Sequence, residues 1–391
     1  MNKTFTIGFV TTYLPKECGI ATYSDNLIKA IKSIGTKTNF KIIALSDKKY
    51  QYPDIVKFSI NFNDDQDYIK AAEYINNSDI DVVSLQHEFN IYGGYNGKKI
   101  LLLLKNLKKP VVMTMHTVPI FQTKPFKIIP KRYKTRTPLL KKMFKYINGI
   151  TVMNDIAKNY VRKKLNFKKK IITILHGAPE LTPQDLLHYR KEKNKTGFQK
   201  DDIIITTFGL ISPQKGLEYV IKALPYIEKK HPNKKIKYLI AGKIHPAKPK
   251  QYLDTLKYLA KKLGVEKDVI LDSRYLTWEE IYRYLANTYL YITPYYRKEQ
   301  SSSGTLSYAV VAGCCIVSTP YIYAYDMVKN HKVGELVKFK DSRSIAKVIN
   351  NLVENPSIVT KYRNNSIKFS KNIYWPNTAK NFIKFLKDNT K

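Results

Sequence analysis

Residues 293–320 read TPYYRKEQSSSGTLSYAVVAGCCIVSTP. A short apolar run, 289–292, leads into them as a buried strand. A polar loop then carries Glu299 into three serines and Gly304. The small and apolar residues 305–312 predict a helix that Gly313 ends. Residues 314–317 predict a second buried strand before Thr319 and Pro320. Strand, polar loop, helix, strand is one βαβ unit, and its loop lies at the carboxyl end of a parallel strand. Open α/β sheets bind ligands at that edge, and the free amides at a helix start suit a phosphate or another anionic oxygen. The same residues would equally make a buried βαβ unit with a serine-rich turn.

The alternation extends outward from this stretch. Apolar, β-rich runs at 5–10, 40–45, 81–85, 111–115, 150–153 and 171–175 alternate with helical patterns at 23–34, 67–75, 98–107, 139–147 and 156–165. Residues 181–200 hold RKEKNKTGFQK and no strand signal, and read as a linker. The pattern restarts with strands at 203–208, 237–241, 269–271, 289–292 and 314–317, and helices at 217–229, 251–263, 277–287 and 342–354. Alternating buried strands and helices predict an α/β protein with parallel, doubly wound sheets. The expected layout is a Rossmann-like domain at 1–180, the linker, a second such domain at 201–372, and a closing helical segment at 373–391. Two such sheets facing across a cleft would suit a bulky polar ligand.

At 391 residues the chain exceeds one ordinary core. No apolar run is long enough for a membrane-spanning helix. The opening MNKTFTIGFVTTYLPKECG reads as a first strand rather than a secretory signal. Cys18, Cys314 and Cys315 are too few and badly spaced for a disulfide framework or a zinc site, which fits a reducing cytoplasm.

The net charge is +37. Lysine outnumbers arginine and Asn, Ile and Tyr abound, as in an AT-rich coding sequence. The charge is also concentrated: no acid lies between Glu88 and Asp155, a segment with fourteen Lys and Arg. Within it, 124–145 interleaves basic residues with Phe126, Ile128, Ile129, Tyr133, Leu139, Leu140, Met143 and Phe144. That pattern suits anionic lipid headgroups or a nucleic-acid backbone. With no nucleic-acid-binding motif beside it, an anionic membrane surface or substrate is favoured.

Several residues stand where chemistry is expected. Gly19 follows the first strand, where a glycine permits close approach of a ligand; the dinucleotide fingerprint is absent. His87 with Glu88, His116, and His176 each sit just past a predicted strand, as hydrogen-bonding groups for a polyhydroxylated ligand would. Only Glu88 offers them a carboxylate, so no metal is expected. No nucleophile elbow is visible. Gly209 ends the strand at 203–208, and Lys215 precedes the next helix, placed to neutralise a phosphate. The spacing is not that of a P-loop.

At this point the chain resembles a known family. FGLISPQKGLEYVIKAL (208–224) is similar to the phosphate-binding lysine segment of retaining glycosyltransferases of the GT-B fold, family four, the glycosyl transferases group 1. Residues 293–320 resemble that family's donor loop. PKECGIATYSDNL (15–27), HEFNIYGG (87–94), HTV (116–118) and IYWPNTA (373–379) match in order, so the resemblance spans nearly the whole chain. It implies two Rossmann-like domains facing across a cleft, with the last helix crossing back to the first. It implies Glu299, Lys215 and His116 as catalytic residues: Lys215 on the donor phosphates, Glu299 on the transferred sugar, His116 beside it. Gly19, Gly209, Ser303, Gly304, Thr305, Ser307 and Arg274 would bind the donor, with His87, Glu88 and His176 on the acceptor side. The reaction it implies is hexose transfer, mannose or glucose, from a nucleotide sugar to a glycan or lipid-linked acceptor. The leaving phosphate would take the acceptor's proton on the same face, without a bound metal.

Two positions depart from the family pattern. Leu210 stands where an arginine is usual, and Arg274 or Arg297 could substitute for that cation. Ser307 stands where a second glutamate usually binds the nucleotide ribose. A glycoside phosphorylase on the same fold, and a non-catalytic glycan- or nucleic-acid-binding protein, are the competing readings. Cytoplasmic location, peripheral to the inner membrane face, is the expectation from the basic segment.

Overall fold

The computed structural model describes residues 4–120, 131–245 and 251–390. The chain forms two compact units, Met1–Gly177 with Trp375–Lys391, and Ala178–Tyr374. The last helix thus belongs to the first unit.

The first unit holds a seven-stranded sheet of β1 (Phe5–Thr11), β2 (Thr38–Ser46), β3 (Val56–Asn61), β4 (Val82–His87), β5 (Val111–Met115), β6 (Gly149–Val152) and β7 (Lys170–Thr173). Their order is β3-β2-β1-β4-β5-β6-β7, with every pair parallel. All of β4 is buried, as a strand covered on both faces must be. The winding reverses between β1 and β4, so the loop after Thr11 and the residues after Leu85 flank the switch point, where α/β sheets bind ligands. Helices Gly19–Ser33 and Trp375–Lys387 pack together on this sheet. Phe382 lies 6.2 Å from Phe9 between ring centroids, which ties the closing helix into the core.

The second unit holds six strands: β8 (Ile203–Phe208), β9 (Ile236–Ala241), β10 (Val269–Asp272), β11 (Leu290–Thr293), β12 (Cys315–Ser318) and β13 (Gly334–Leu336). Their order is β10-β9-β8-β11-β12-β13, again all parallel. The switch point falls between β8 and β11. It brings the turn holding Lys215 next to the loop holding Glu299, although 84 residues separate the two in sequence.

The two sheets are the α/β architecture expected from the alternation. β3 and β13 were not expected. β3 is an edge strand with lysine and alternating exposure, a weak apolar signal. β13 is three residues long and opens with Gly334, where a Cβ would fall 1.7 Å from the Ile316 carbonyl oxygen. Helices Ile322–His331 and Pro356–Ser370 were also unanticipated.

The stretch 181–200, expected as a linker, is folded onto the second unit. Helix Pro183–Lys191 starts at a capping box of Thr182 and Asp185. Arg283 Nε then meets Glu192 at 2.7 Å, and Asn287 Nδ2 donates to the Tyr189 carbonyl at 2.9 Å. Its polar composition reflects an exposed helix face, and Leu186 is buried on the other.

The basic and apolar surface expected across 124–145 is corrected where it is described. Leu139, Leu140, Met143 and Phe144 are buried on helix Lys131–Phe144, because their spacing makes one core-facing stripe. Arg136 is buried too, its guanidinium 4.4 Å over the Phe89 ring. Lys141, Lys142 and Lys145 remain exposed. Phe126, Ile128 and Ile129 lie outside the described residues, as does the Tyr133 side chain.

Candidate functional site

In the second unit, β8 delivers the chain to Gly209 at φ +122°, a conformation that favours glycine. A Cβ there would lie 2.8 Å from Thr305 Cγ2 and 3.8 Å from Lys215 Nζ. The chain then turns through Pro213–Lys215 and is released by Gly216 at φ +65°. That turn aims Lys215 back at the end of β8. Its Nζ donates to the Tyr295 hydroxyl at 2.6 Å. The Tyr295 hydroxyl lies 3.2 Å from Thr305 Oγ1, which lies 3.3 Å from Ser303 Oγ. Ser303 caps helix Gly304–Val311, whose first turn holds no acid. A lysine, a tyrosine and two small hydroxyls thus surround a helix N-terminus that attracts negative charge.

Lys215 as a residue is half-buried, but its ammonium sits in this crowded corner. Desolvation pushes its pKa down to about 7. Among the described residues, no carboxylate lies within 4.0 Å of it. A lysine held this way lacks a counter-anion, and an incoming phosphate would supply one.

Glu299 is 8 % exposed, with Arg297 Nε 3.6 Å from its Oε1. Its loop is pinned from outside. The Ile322 amide donates to the Lys298 carbonyl and the Tyr323 amide to the Gln300 carbonyl, both at 3.1 Å.

Other expected donor residues sit differently. Ser307 is fully buried, its hydroxyl 2.7 Å from that of Tyr323. One turn on from Thr305, the residue on the same helix face is Tyr308, which lies edge-on to Phe208 and stacks on Trp278 at 4.7 Å. Arg274 is exposed and engaged by two acids, Asp272 at 2.8 and 2.9 Å and Glu280 at 3.1 Å. Those hydrogen bonds and charges raise its already high pKa. It is a poor replacement for a phosphate-binding cation.

In the first unit the carboxyl edge carries three neutral histidines, with Glu88 and the Arg136 guanidinium beside them. His116 Nε2 lies 3.0 Å from Gln86 Oε1, and Gln86 Nε2 donates to Ser84 at 2.8 Å. Burial, reinforced by His176 and His87, holds the His116 pKa down to about 3. Burial also lowers His176, to about 4, and His87, to about 3, with the Arg136 charge adding to the latter. Tyr23 stands edge-on to His116 at 4.8 Å and to His176 at 5.1 Å, and Trp375 lies 5.5 Å from Tyr23. Glu88 is engaged locally, accepting from the Phe89 amide at 2.9 Å and the Thr117 hydroxyl at 2.5 Å. Gly19 opens its helix with nothing within 4 Å of where a Cβ would stand, so packing within the unit does not require glycine there.

The structure therefore brings Gly209, Lys215, Ser303, Gly304 and Thr305 together. Tyr295 and Tyr23 are central to the two edges and were not singled out from sequence. Tyr295 sits two residues beyond a strand with no pattern to mark it. Tyr23 is four residues after Gly19, one helical turn along, which is the one signal that could have flagged it.

Residues 188–372 match the family model described as glycosyl transferases group 1. Among curated proteins, none matches the chain in sequence. Solved structures match along its whole length. Sucrose-phosphate synthase from Thermosynechococcus elongatus superposes with a TM-score of 0.77 at 12% identity, covering 98% of each chain. A glycosyltransferase from Rickettsia africae ESF-5 does so with a TM-score of 0.75 at 16% identity, covering 100% of each. Anabaena Alr3699/HepE in complex with UDP and glucose gives 0.72 at 15% identity, covering 98% of this chain and 100% of that one. The second unit thus contains the glycosyl transferases group 1 domain of a chain with the GT-B fold.

Proposed function

We propose that the protein is a retaining glycosyltransferase that moves a hexose, mannose or glucose, from a nucleotide-activated donor to a glycan or lipid-linked acceptor. One observation carries this reading: the buried Lys215 ammonium, without a carboxylate, beside a hydroxyl-lined helix N-terminus. A sugar leaving from a diphosphate releases negative charge at the leaving oxygen. Lys215 and the helix amides would meet that charge without reorganising, in a site of low dielectric where such contacts are strong. Binding the diphosphate would also restore the proton that desolvation has made easy to lose. Glu299 would hydrogen-bond the sugar being transferred.

The acceptor hydroxyl would pass its proton to the departing phosphate on the same face. That step needs no protein nucleophile and invokes no bound metal. His116 fits a hydrogen-bonding role: a pKa near 3 makes it a weak base and leaves it neutral at pH 7. The Anabaena structure holding UDP and glucose supports a nucleotide sugar as the donor class.

A thermal-shift panel of UDP-, GDP- and ADP-hexoses tests the proposal, since a donor that binds the folded state raises the melting temperature. We expect one nucleotide series to stabilise the protein and the others to leave it unchanged. If none does so at millimolar concentration, the reading fails. One observation favours a second reading: Ser307, at the place of the ribose-binding acid, is buried and bonded to Tyr323. A glycoside phosphorylase would not need that acid. Phosphate-dependent cleavage without a nucleotide would identify it.

A further inference from the structure

We propose that Tyr295 is a positioning residue for the donor's diphosphate, holding the Lys215 ammonium at the end of β8 and coupling it to Thr305. The inference rests on the donor-site reading above and extends it to a residue that reading does not assign.

Tyr295 is itself rigidly held. It is 1 % exposed, and its ring stacks on Tyr321 at 5.3 Å and 16°. Its carbonyl accepts from the Thr319 hydroxyl. The backbone around it braces the lysine turn: the Tyr296 amide meets the Gln214 carbonyl at 3.4 Å, and a Cβ on Gly216 would fall 2.4 Å from the Pro294 oxygen. A lysine side chain alone has many rotamers and gives no fixed geometry. Here its ammonium has one fixed hydroxyl acceptor, at 2.6 Å.

The bond also sets the polarity of the chain of hydroxyls. An ammonium only donates. Tyr295 must therefore accept from it, which leaves the phenol proton for Thr305 Oγ1 at 3.2 Å. Thr305 is then free to donate onward, toward Ser303 Oγ at 3.3 Å or toward a ligand. Ser303 already accepts from the Leu306 amide. While Lys215 is charged, protons point outward from it along the chain. A site of that polarity presents donors, which is what phosphate oxygens need. The groups facing the ammonium are Gly209 from the end of β8, Tyr295 from the loop after β11 and, behind Tyr295, Thr305 from its helix and the Tyr291 phenol from β11, which lies against both hydroxyls.

The test uses full-length protein, with UDP and inorganic pyrophosphate as probes. Calorimetry gives the Kd of each between pH 6 and 9.5 for wild type, Tyr295→Phe and Lys215→Ala. In wild type, affinity should fall as pH rises through about 7, where free Lys215 loses its proton. Tyr295→Phe should weaken both probes about tenfold, the loss expected when a hydrogen bond to a charged group is removed. It should also move the midpoint below that of wild type, because the ammonium loses its acceptor. A purely structural role would lower the melting temperature without moving the midpoint. Unchanged affinity, or a midpoint that stays or rises, overturns the proposal while Lys215→Ala still abolishes binding. If Lys215→Ala binds both probes normally, the donor-site reading itself has failed. Should Tyr295→Phe not fold, Thr305→Val interrupts the same chain one step on. It is expected to weaken both probes about threefold, and normal binding by it then overturns the proposal.

Discussion

The two units share one architecture and differ in what stands at the same place. Each is a parallel sheet with a switch point, between β1 and β4 in one and β8 and β11 in the other. At the first edge, His87 and His116 are buried and His176 is half-buried, all three neutral at pH 7, beside Gln86, Ser84 and aromatic rings. At the second, a lysine ammonium is buried among hydroxyls. The first edge can exchange hydrogen bonds with sugar hydroxyls through its neutral imidazoles. The second concentrates positive potential. One fold supplies both, because the winding only fixes which loops meet, and the residues just past each strand fix the chemistry.

The largest break in this comparison comes from removing the second edge's charge. Lys215→Ala should lower sugar transfer at least a hundredfold, as loss of a preorganised group at developing charge does. Its melting temperature should hold or rise, because burying an ammonium without a counter-anion is unfavourable. Glu299→Ala should lower transfer similarly. Transfer rates and a melting curve on the same preparations decide it. Near-normal transfer by either variant would remove that residue from the site.

A second prediction separates the units by pH. The three histidines have folded pKa values of about 3 to 4, below the unfolded value of about 6.5. Between those values the unfolded chain binds more protons. Their contribution is therefore complete above pH 6.5 and is lost as pH falls toward 4, by up to about 1.4 kcal/mol per pH unit for each histidine. Lys215 works in another window. Its folded pKa of about 7 lies below the unfolded 10.5, so the unfolded chain binds more protons from pH 7 to 10.5 and stability rises across that range. Hydrogen exchange at pH 7, 6 and 5 should show protection falling in β4 and β5 ahead of β8 and β11. Equal loss in both sheets would show that the histidines do not set the acid limit of the first unit.

How much of this was legible in the chain follows from the same physics. The central strands are covered on both faces, so they read as apolar runs, and β5 and β8 fall where the runs predict. The edge strands β3 and β13 did not, since one is half exposed and the other is three residues anchored by a glycine. The Lys215 turn and the serine-rich loop were visible because they lie past strands and at helix starts, where ligands bind, and the resemblance to the family singled out Gly209, Ser303 and Thr305. Tyr295 was not, since its importance comes from a contact 80 residues back in the chain. Ser307 and Tyr308 lie about 100° apart around a helix, and the i, i+3 spacing puts Tyr308 on the face of Thr305; what the packing adds is that Ser307 is buried against Tyr323 while Tyr308 stacks on Trp278.

The smallest expected effect concerns charge outside both edges. No helix among the described residues is long and apolar enough to cross a membrane. The apolar half of the basic segment, where described, is buried core rather than lipid-facing surface. Among the described side chains of helix Lys131–Phe144 and its following turn, Lys141, Lys142 and Lys145 are the exposed lysines that docking could use. Near an anionic bilayer each lysine contributes about 1 kcal/mol, roughly a fivefold change in partitioning, and salt screens it over about 8 Å at physiological ionic strength. Replacing all three with glutamine should thus reduce sedimentation with phosphatidylserine vesicles at 0.05 M salt, with little difference left at 0.5 M. Transfer to a soluble acceptor should be unaffected, because these residues lie outside both edges. Equal sedimentation of wild type and variant at low salt would sink membrane docking by these lysines. A deficit that persists at high salt would point instead to contacts other than charge.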